Sequence, residues 1–140
     1  MKSLLFALIF ALTAQTQAST VTLKIATLAP DGTGWMKSMR KAAKQVAEQT
    51  DGRVKLRFYP GGVMGNDKSV LRKIRIGQLH GGALVSGGLI AINKDIQIYG
   101  LPFLFTSYQE VDYVRKRVDS QLIQGLRDKG FVSYGITEEI

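Results

Sequence analysis

The chain contains no cysteine, a single histidine and a single tryptophan in 140 residues. Without cysteine there is no disulfide to staple the fold, so burial alone must hold it together, and about 120 residues can build such a core. Without cysteine, and with only His80, a transition-metal site has too few ligands. Beyond residue 18 no run approaches the ~20 apolar residues that cross a bilayer, so a soluble exported product is expected. Also lacking are an internal repeat, a low-complexity run and a linker. One domain fits this length.

The first 18 residues stand apart. Lys2 is a positive n-region, residues 4–12 are an unbroken apolar run, and Thr16-Gln17-Ala18 places a small residue at a cleavage position. This is the pattern of a secretory signal peptide. The expected division is 1–18 signal peptide and 19–140 domain. The formal net charge is +8. A basic balance can serve nucleic acid or an anionic surface, but the cations are spread along the chain and export argues against nucleic acid. A solvated basic surface is expected.

The remaining residues alternate between two periods. Residues 21–25 alternate apolar and polar, which predicts a strand. Residues 29–34, APDGTG, must turn, and Thr33 can cap a helix whose apolar face is Met36, Met39, Ala43, Val46 and Ala47. Asp51-Gly52 stops that helix. Residues 53–59 form a second strand with Val54, Leu56 and Phe58 on one side, ended by Pro60-Gly61-Gly62. Asn66 or Asp67 caps a short helix with Val70, Leu71 and Ile74 inside. A glycine-interrupted strand follows within 79–85, then an apolar segment at 96–101. Thr106 or Ser107 opens another helix, striped by Val111, Val114 and Val118, and Ser107 with Glu110 fits a capping box. A further helix is expected at 120–129 and a last strand at 131–136. Strands alternating with helices at this spacing predict an α/β fold, a mainly parallel sheet with helices on both faces. Ligands of such sheets sit beyond the carboxyl ends of the strands, which places 29–35, 60–65 and 86–88 near one edge.

Enzyme signatures are sparse. The turn at 61–66 lacks the Gly-Lys-Ser/Thr of a phosphate loop, and no dinucleotide fingerprint is present. His80 is the sole candidate general base of the usual kind, with no carboxylate beside it in sequence, and a structural role is expected. Asp112 and Asp119 fall on solvated helix faces. Trp35 and Tyr59 each end an element beside a glycine-rich loop at the expected ligand edge. A ring with a polar handle there can wall a cleft or simply pack. Residues 103–105 are expected in the core.

Leu28-Ala29-Pro30 with Trp35, Thr50-Asp51-Gly52-Arg53-Val54, Tyr59-Pro60-Gly61-Gly62 with Gly65, and Leu101-Pro102-Phe103-Leu104-Phe105 occur in that order. Together they resemble the solute receptors of the tripartite ATP-independent periplasmic (TRAP-type) transporters, the DctP-like family, over about residues 22–135. The resemblance implies the first lobe of a type II periplasmic-binding-protein-like fold, with the second lobe absent. It implies a periplasmic receptor that closes on an organic acid and hands it to small and large membrane subunits. No cofactor, metal or catalysis is implied. First-lobe ligand lining carries over to Pro30, Trp35, Gly62 and Ser86. The family's carboxylate-pairing arginine comes from the second lobe and so falls outside this chain. Two other readings stand beside this one: a small exported hydrolase, which needs a nucleophile-base pair, and a basic periplasmic adaptor docking through residues 35–49.

Overall fold

The structure is a computed structural model that describes residues 19–136. The expected signal peptide lies outside the described residues. Three strands form one parallel sheet in the order β2-β1-β3: β1 Val21–Thr27, β2 Val54–Tyr59 and β3 Gly81–Ala83. Between them run α1 Gly34–Gln49 and α2 Asp67–Arg75. After β3 come α3 Ser86–Ile90, a 3-10 helix Lys94–Gly100, and α4 Tyr108–Arg127.

Period-two patterning sets the sheet. Ile25 pairs in register with Phe58, and Ala26 with Tyr59. One face therefore carries Leu23, Ile25, Leu56 and Phe58, and the other carries Ala26 and Tyr59. The second face meets α2, where Ala26, Val70 and Leu79 are buried together with Tyr59, Met64, Ile74 and Leu84 around them. Gly82 lies beneath this contact. A Cβ there would stand 3.0 Å from Val70 Cγ1 and 3.3 Å from the Ala26 carbonyl, so a side chain there would have to push Val70 aside. The path from β1 to β2 crosses the sheet one way, and the path from β2 to β3 returns past β1. With right-handed crossovers, α1 and α2 therefore lie on opposite faces. This is the expected doubly covered parallel sheet.

Local chemistry ends each helix as the sequence indicates. Thr33 caps α1 through its hydroxyl, which accepts the Met36 N–H at 3.3 Å. Asp51 and Gly52 both adopt positive φ after it, and the Gly52 N–H reaches the Ala47 carbonyl at 2.8 Å. Asn66, rather than Asp67, caps α2, accepting the Ser69 N–H at 3.0 Å. Ser107 caps α4, accepting the Glu110 N–H at 3.3 Å. The Glu110 carboxylate returns one residue further than a capping box requires, to the Thr106 N–H at 2.7 Å.

The second half departs from its expected elements. Residues 96–101 lie in the 3-10 helix and the turn after it, with Asn93 capping by accepting the Asp95 N–H at 3.1 Å. The expected separate helix at 120–129 is the continuation of α4, because Ser120 sits mid-helix and nothing interrupts the backbone ladder. Residues 131–136 form no strand; their carbonyl at Ile136 accepts from the Arg115 guanidinium instead of a sheet partner. Phe103 is fully exposed at φ 62, outside the core where it was expected, and Leu104 is half-exposed. A left-handed residue turns its side chain out of the path its neighbours follow, and only Phe105 turns inward, toward the Tyr99 ring. Ile96, Leu122, Leu126 and Ile136 make a second buried cluster here. Asn93 Nδ2 donates to the Leu122 carbonyl at 3.2 Å, and a Cβ on Gly125 would stand 2.3 Å from that nitrogen. Gly125 thus lets the 3-10 helix approach α4. Among the described residues no helix is long and apolar enough to cross a membrane.

Candidate functional site

Three loops leave the carboxyl ends of the strands, at residues 28–33, 60–66 and 84–85, and the fold ties them together. In the order β2-β1-β3 the chain reverses its direction of travel beside β1, which is where open α/β sheets place a crevice. The first two loops are joined by backbone bonds. Gly61 N–H donates to the Ala29 carbonyl at 2.9 Å, and Gly62 N–H donates to the Thr27 carbonyl at 3.1 Å. Thr27 is buried at the strand end and its hydroxyl accepts the Ala29 N–H at 3.1 Å. Both glycines have positive φ, and a Cβ on Gly62 would stand 3.3 Å from Leu28 Cδ2.

The third loop is joined to the second through Asp67. Asp67 is 8% exposed, and its Oδ2 accepts the Val85 N–H at 3.2 Å. Gly88 lies against the same carboxylate, where a Cβ would fall 2.7 Å from Oδ2. Oδ1 is buried with no hydrogen-bond partner among the described residues. Burial raises the Asp67 carboxyl above the usual range, and the backbone N–H groups of Val85 and Gly88 pull it part of the way back.

The residues singled out in the sequence fall around this edge. Pro30 is exposed in the first loop, and its carbonyl accepts from the Thr33 hydroxyl at 3.1 Å. Trp35 lies in the first turn of α1 and is 42% exposed. Gly62 bonds the first loop to the second. Ser86 is exposed at the start of α3, one residue beyond the N–H that Asp67 holds. Tyr59 takes the other of its two readings: it is half-buried in the α2 contact, with the Arg57 guanidinium 5.2 Å from its ring centroid. Sequence reasoning did not assign Asp67 its inward role. Its signal was present, since Asn66 supplies the cap and leaves the next carboxylate unused.

Arginine is scarce at the edge. Among the described residues Arg40 reaches the first loop, forming a bidentate pair with Asp31 at 2.9 Å to each oxygen. The guanidinium holds the Asp31 carboxyl below the usual carboxylate range. Both side chains are about half exposed, so water screens the pair.

Elsewhere the chemistry is structural. His80 precedes β3, at the end opposite the loops, and its Nδ1 accepts the Lys24 N–H at 3.1 Å. That bond occupies the imidazole nitrogen a general base would need. Asp119 is not on a solvated face as expected. It accepts from the Tyr99 hydroxyl and, at 3.1 Å, from Arg115 Nε. Asp112 is exposed. Among the described residues no three His, Cys, Asp or Glu side chains gather as metal ligands. A groove of about 580 Å³ lies away from the sheet edge, between residues 104–106 and the first turns of α4. It is open and apolar and shares no residue with the three loops.

A family description, the DctP bacterial extracellular solute-binding proteins of family 7, matches residues 25–138. That stretch contains all three loops. Among curated relatives, a solute-binding protein of Chromohalobacter salexigens is 32% identical over 71 residues, covering 51% of this chain and 21% of its own length. Among solved structures, a TRAP periplasmic solute binding protein from Ochrobactrum anthropi, with its C-terminus bound in the ligand binding pocket, is 28% identical with a TM-score of 0.72. The likeness covers 85% of this chain and 38% of that one. A TRAP periplasmic solute binding protein from Sulfurospirillum deleyianum, with bound succinate, is 23% identical with a TM-score of 0.75, over 84% of this chain and 38% of that one. This chain therefore spans well under half the length of these proteins.

Proposed function

This chain belongs to the bacterial extracellular solute-binding proteins of family 7, and from that premise we propose that it forms the first wall of a TRAP-type receptor cleft. The observation that carries the reading is the family match over residues 25–138, which takes in all three loops of the carboxyl edge. In the proposal, residues 1–18 direct export to the periplasm and residues 19–140 form the N-terminal lobe. Pro30, Trp35, Gly62 and Ser86 line one side of a cleft for an organic acid. The loaded receptor delivers that acid to small and large membrane subunits. No bond is made or broken, so the chain is a carrier and not an enzyme. Nor does it act on nucleic acid.

The physical case for an acid held by two walls is electrostatic. A carboxylate is held selectively by a desolvated, bidentate guanidinium, whereas exposed ion pairs contribute only about 0–1 kcal/mol. Arg40 reaches the edge, but Asp31 already occupies its fork. Micromolar affinity needs about 8 kcal/mol, which one open wall does not supply. Closure onto a second wall would supply the missing cation and remove water. His80 argues against the hydrolase alternative, since its Nδ1 is engaged by the backbone at the far end of β3.

Calorimetry with succinate and a panel of other mono- and dicarboxylates tests this. The expected result is binding weaker than micromolar by this chain, and micromolar binding by a longer chain carrying both walls. Micromolar binding by residues 19–140 alone would remove the two-wall requirement. Failure of the longer chain to bind any carboxylate would remove the assigned ligand class.

A further inference from the structure

Asp67 is the one charged residue among the described residues that the fold buries, and neither the cap of α2 nor the lining assigned above uses it. We propose that Asp67 is a positioning residue: its carboxylate clamps the third loop to α2 and so sets where Ser86 stands beside the cleft. The proposal rests on reading the sheet edge as the ligand site.

The geometry is specific on both sides of the carboxylate. Asn66 satisfies the orphan N–H of Ser69, which frees Asp67 to point away from the helix end. Oδ2 then accepts the Val85 N–H at 3.2 Å. Three residues on, Gly88 presses against Asp67 with no room for a Cβ, which would stand 2.7 Å from both Cβ and Oδ2 and 2.8 Å from Cγ. The carboxylate is thus held between a donor at residue 85 and a bare Cα at residue 88, with Ser86 on the short span between. β3 is only three residues long and lies at one end of the strand order, so the sheet anchors the loop weakly. Asp67 supplies the anchor from α2. A buried carboxylate whose Oδ1 finds no hydrogen-bond partner among the described residues is costly unless something depends on it. An apolar residue at position 67 would avoid that cost and would lose the loop.

Amide hydrogen exchange on this chain, read residue by residue without any ligand, tests the clamp. In Asp67→Ala the Val85 amide should exchange about tenfold faster or more, while amides of β1 and β2 change by less than about twofold. Asp67→Asn keeps a carbonyl oxygen in the same place and should restore most of the Val85 protection. Gly88→Ala, whose Cβ would collide with Asp67, should loosen the same amide in the native background. Should Asp67→Ala fail to fold, Gly88→Ala and Asp67→Asn read the same contact. Val85 exchange unchanged in Asp67→Ala would overturn the proposal. So would faster exchange spread equally over β1 and β2, without rescue by asparagine. Because no ligand enters the measurement, a failed carboxylate titration would fall on the proposed function and not on this clamp.

Discussion

The Gly62 N–H donates to the carbonyl of Thr27 at 3.1 Å, and this bond joins the loops after β1 and β2 at the candidate site. Gly62 can make it because its φ is 72 and its missing Cβ leaves Leu28 Cδ2 undisturbed. An alanine there carries the cost of a left-handed conformation, about 1–2 kcal/mol, and must also push Leu28 aside. Gly62→Ala is therefore expected to lower unfolding free energy by about that amount in denaturant titration. Gly61→Ala has the same φ penalty with open space around it, so it should cost less.

Leu79 is fully buried against Ala26 and Val70, under the sheet. Leu79→Ala leaves a cavity in the contact between α2 and β1, at an expected cost of about 2–5 kcal/mol. Thermal or denaturant unfolding checks this, with Val63→Ala as a control, since Val63 is 70% exposed and should change stability little.

His80 accepts the Lys24 N–H and its own N–H donates to the Lys24 carbonyl at 2.9 Å, so it fastens the start of β3 to the middle of β1. His80→Ala removes the side-chain bond and should cost about 0.5–1.5 kcal/mol. In a hydrolase screen with ester, amide and phosphoester probes, neither the native chain nor this variant should turn over substrate. Turnover abolished by His80→Ala would revive the hydrolase reading.

Glu110 titrates at the head of α4. The Thr106 backbone N–H holds its carboxyl below the ordinary value of 4.5, helped by the Thr106 hydroxyl. A carboxyl depressed by folding stabilises the native state above its unfolded value, and the contribution is lost as pH falls through the lower folded value. The native chain should therefore exceed Glu110→Gln in thermal midpoint at neutral pH, and the gap should close below pH 4.5. Midpoints measured from pH 7 downward check the sign. A gap that widens in acid would mean the Thr106 contact is not made.

Export is checked by mass spectrometry of the periplasmic fraction. The expected mature chain begins near Ser19, and a cytoplasmic product retaining Lys2 would contradict the signal-peptide reading.

By itself the sequence determined what is local. Thr33 and Ser107 cap helices because each side chain meets an N–H three residues away, Asn66 and Asp67 narrow to one cap between them, and the alternation in residues 54–58 sets the faces of β2 before any partner is known. The order of turn motifs likewise identified the family. Tertiary structure decided what depends on distant partners. The segment at 131–136 is apolar enough for a strand, but a strand needs a neighbour's free edge, and the Arg115 contact takes its place. A separate helix is expected at 120–129, yet Ser120 sits mid-helix, where nothing breaks the backbone ladder of α4. Phe103 reads as core by composition, while its backbone φ turns it outward. Asp67 reads as a candidate cap, and only the arrival of Val85 and Gly88 after β3 buries its carboxylate.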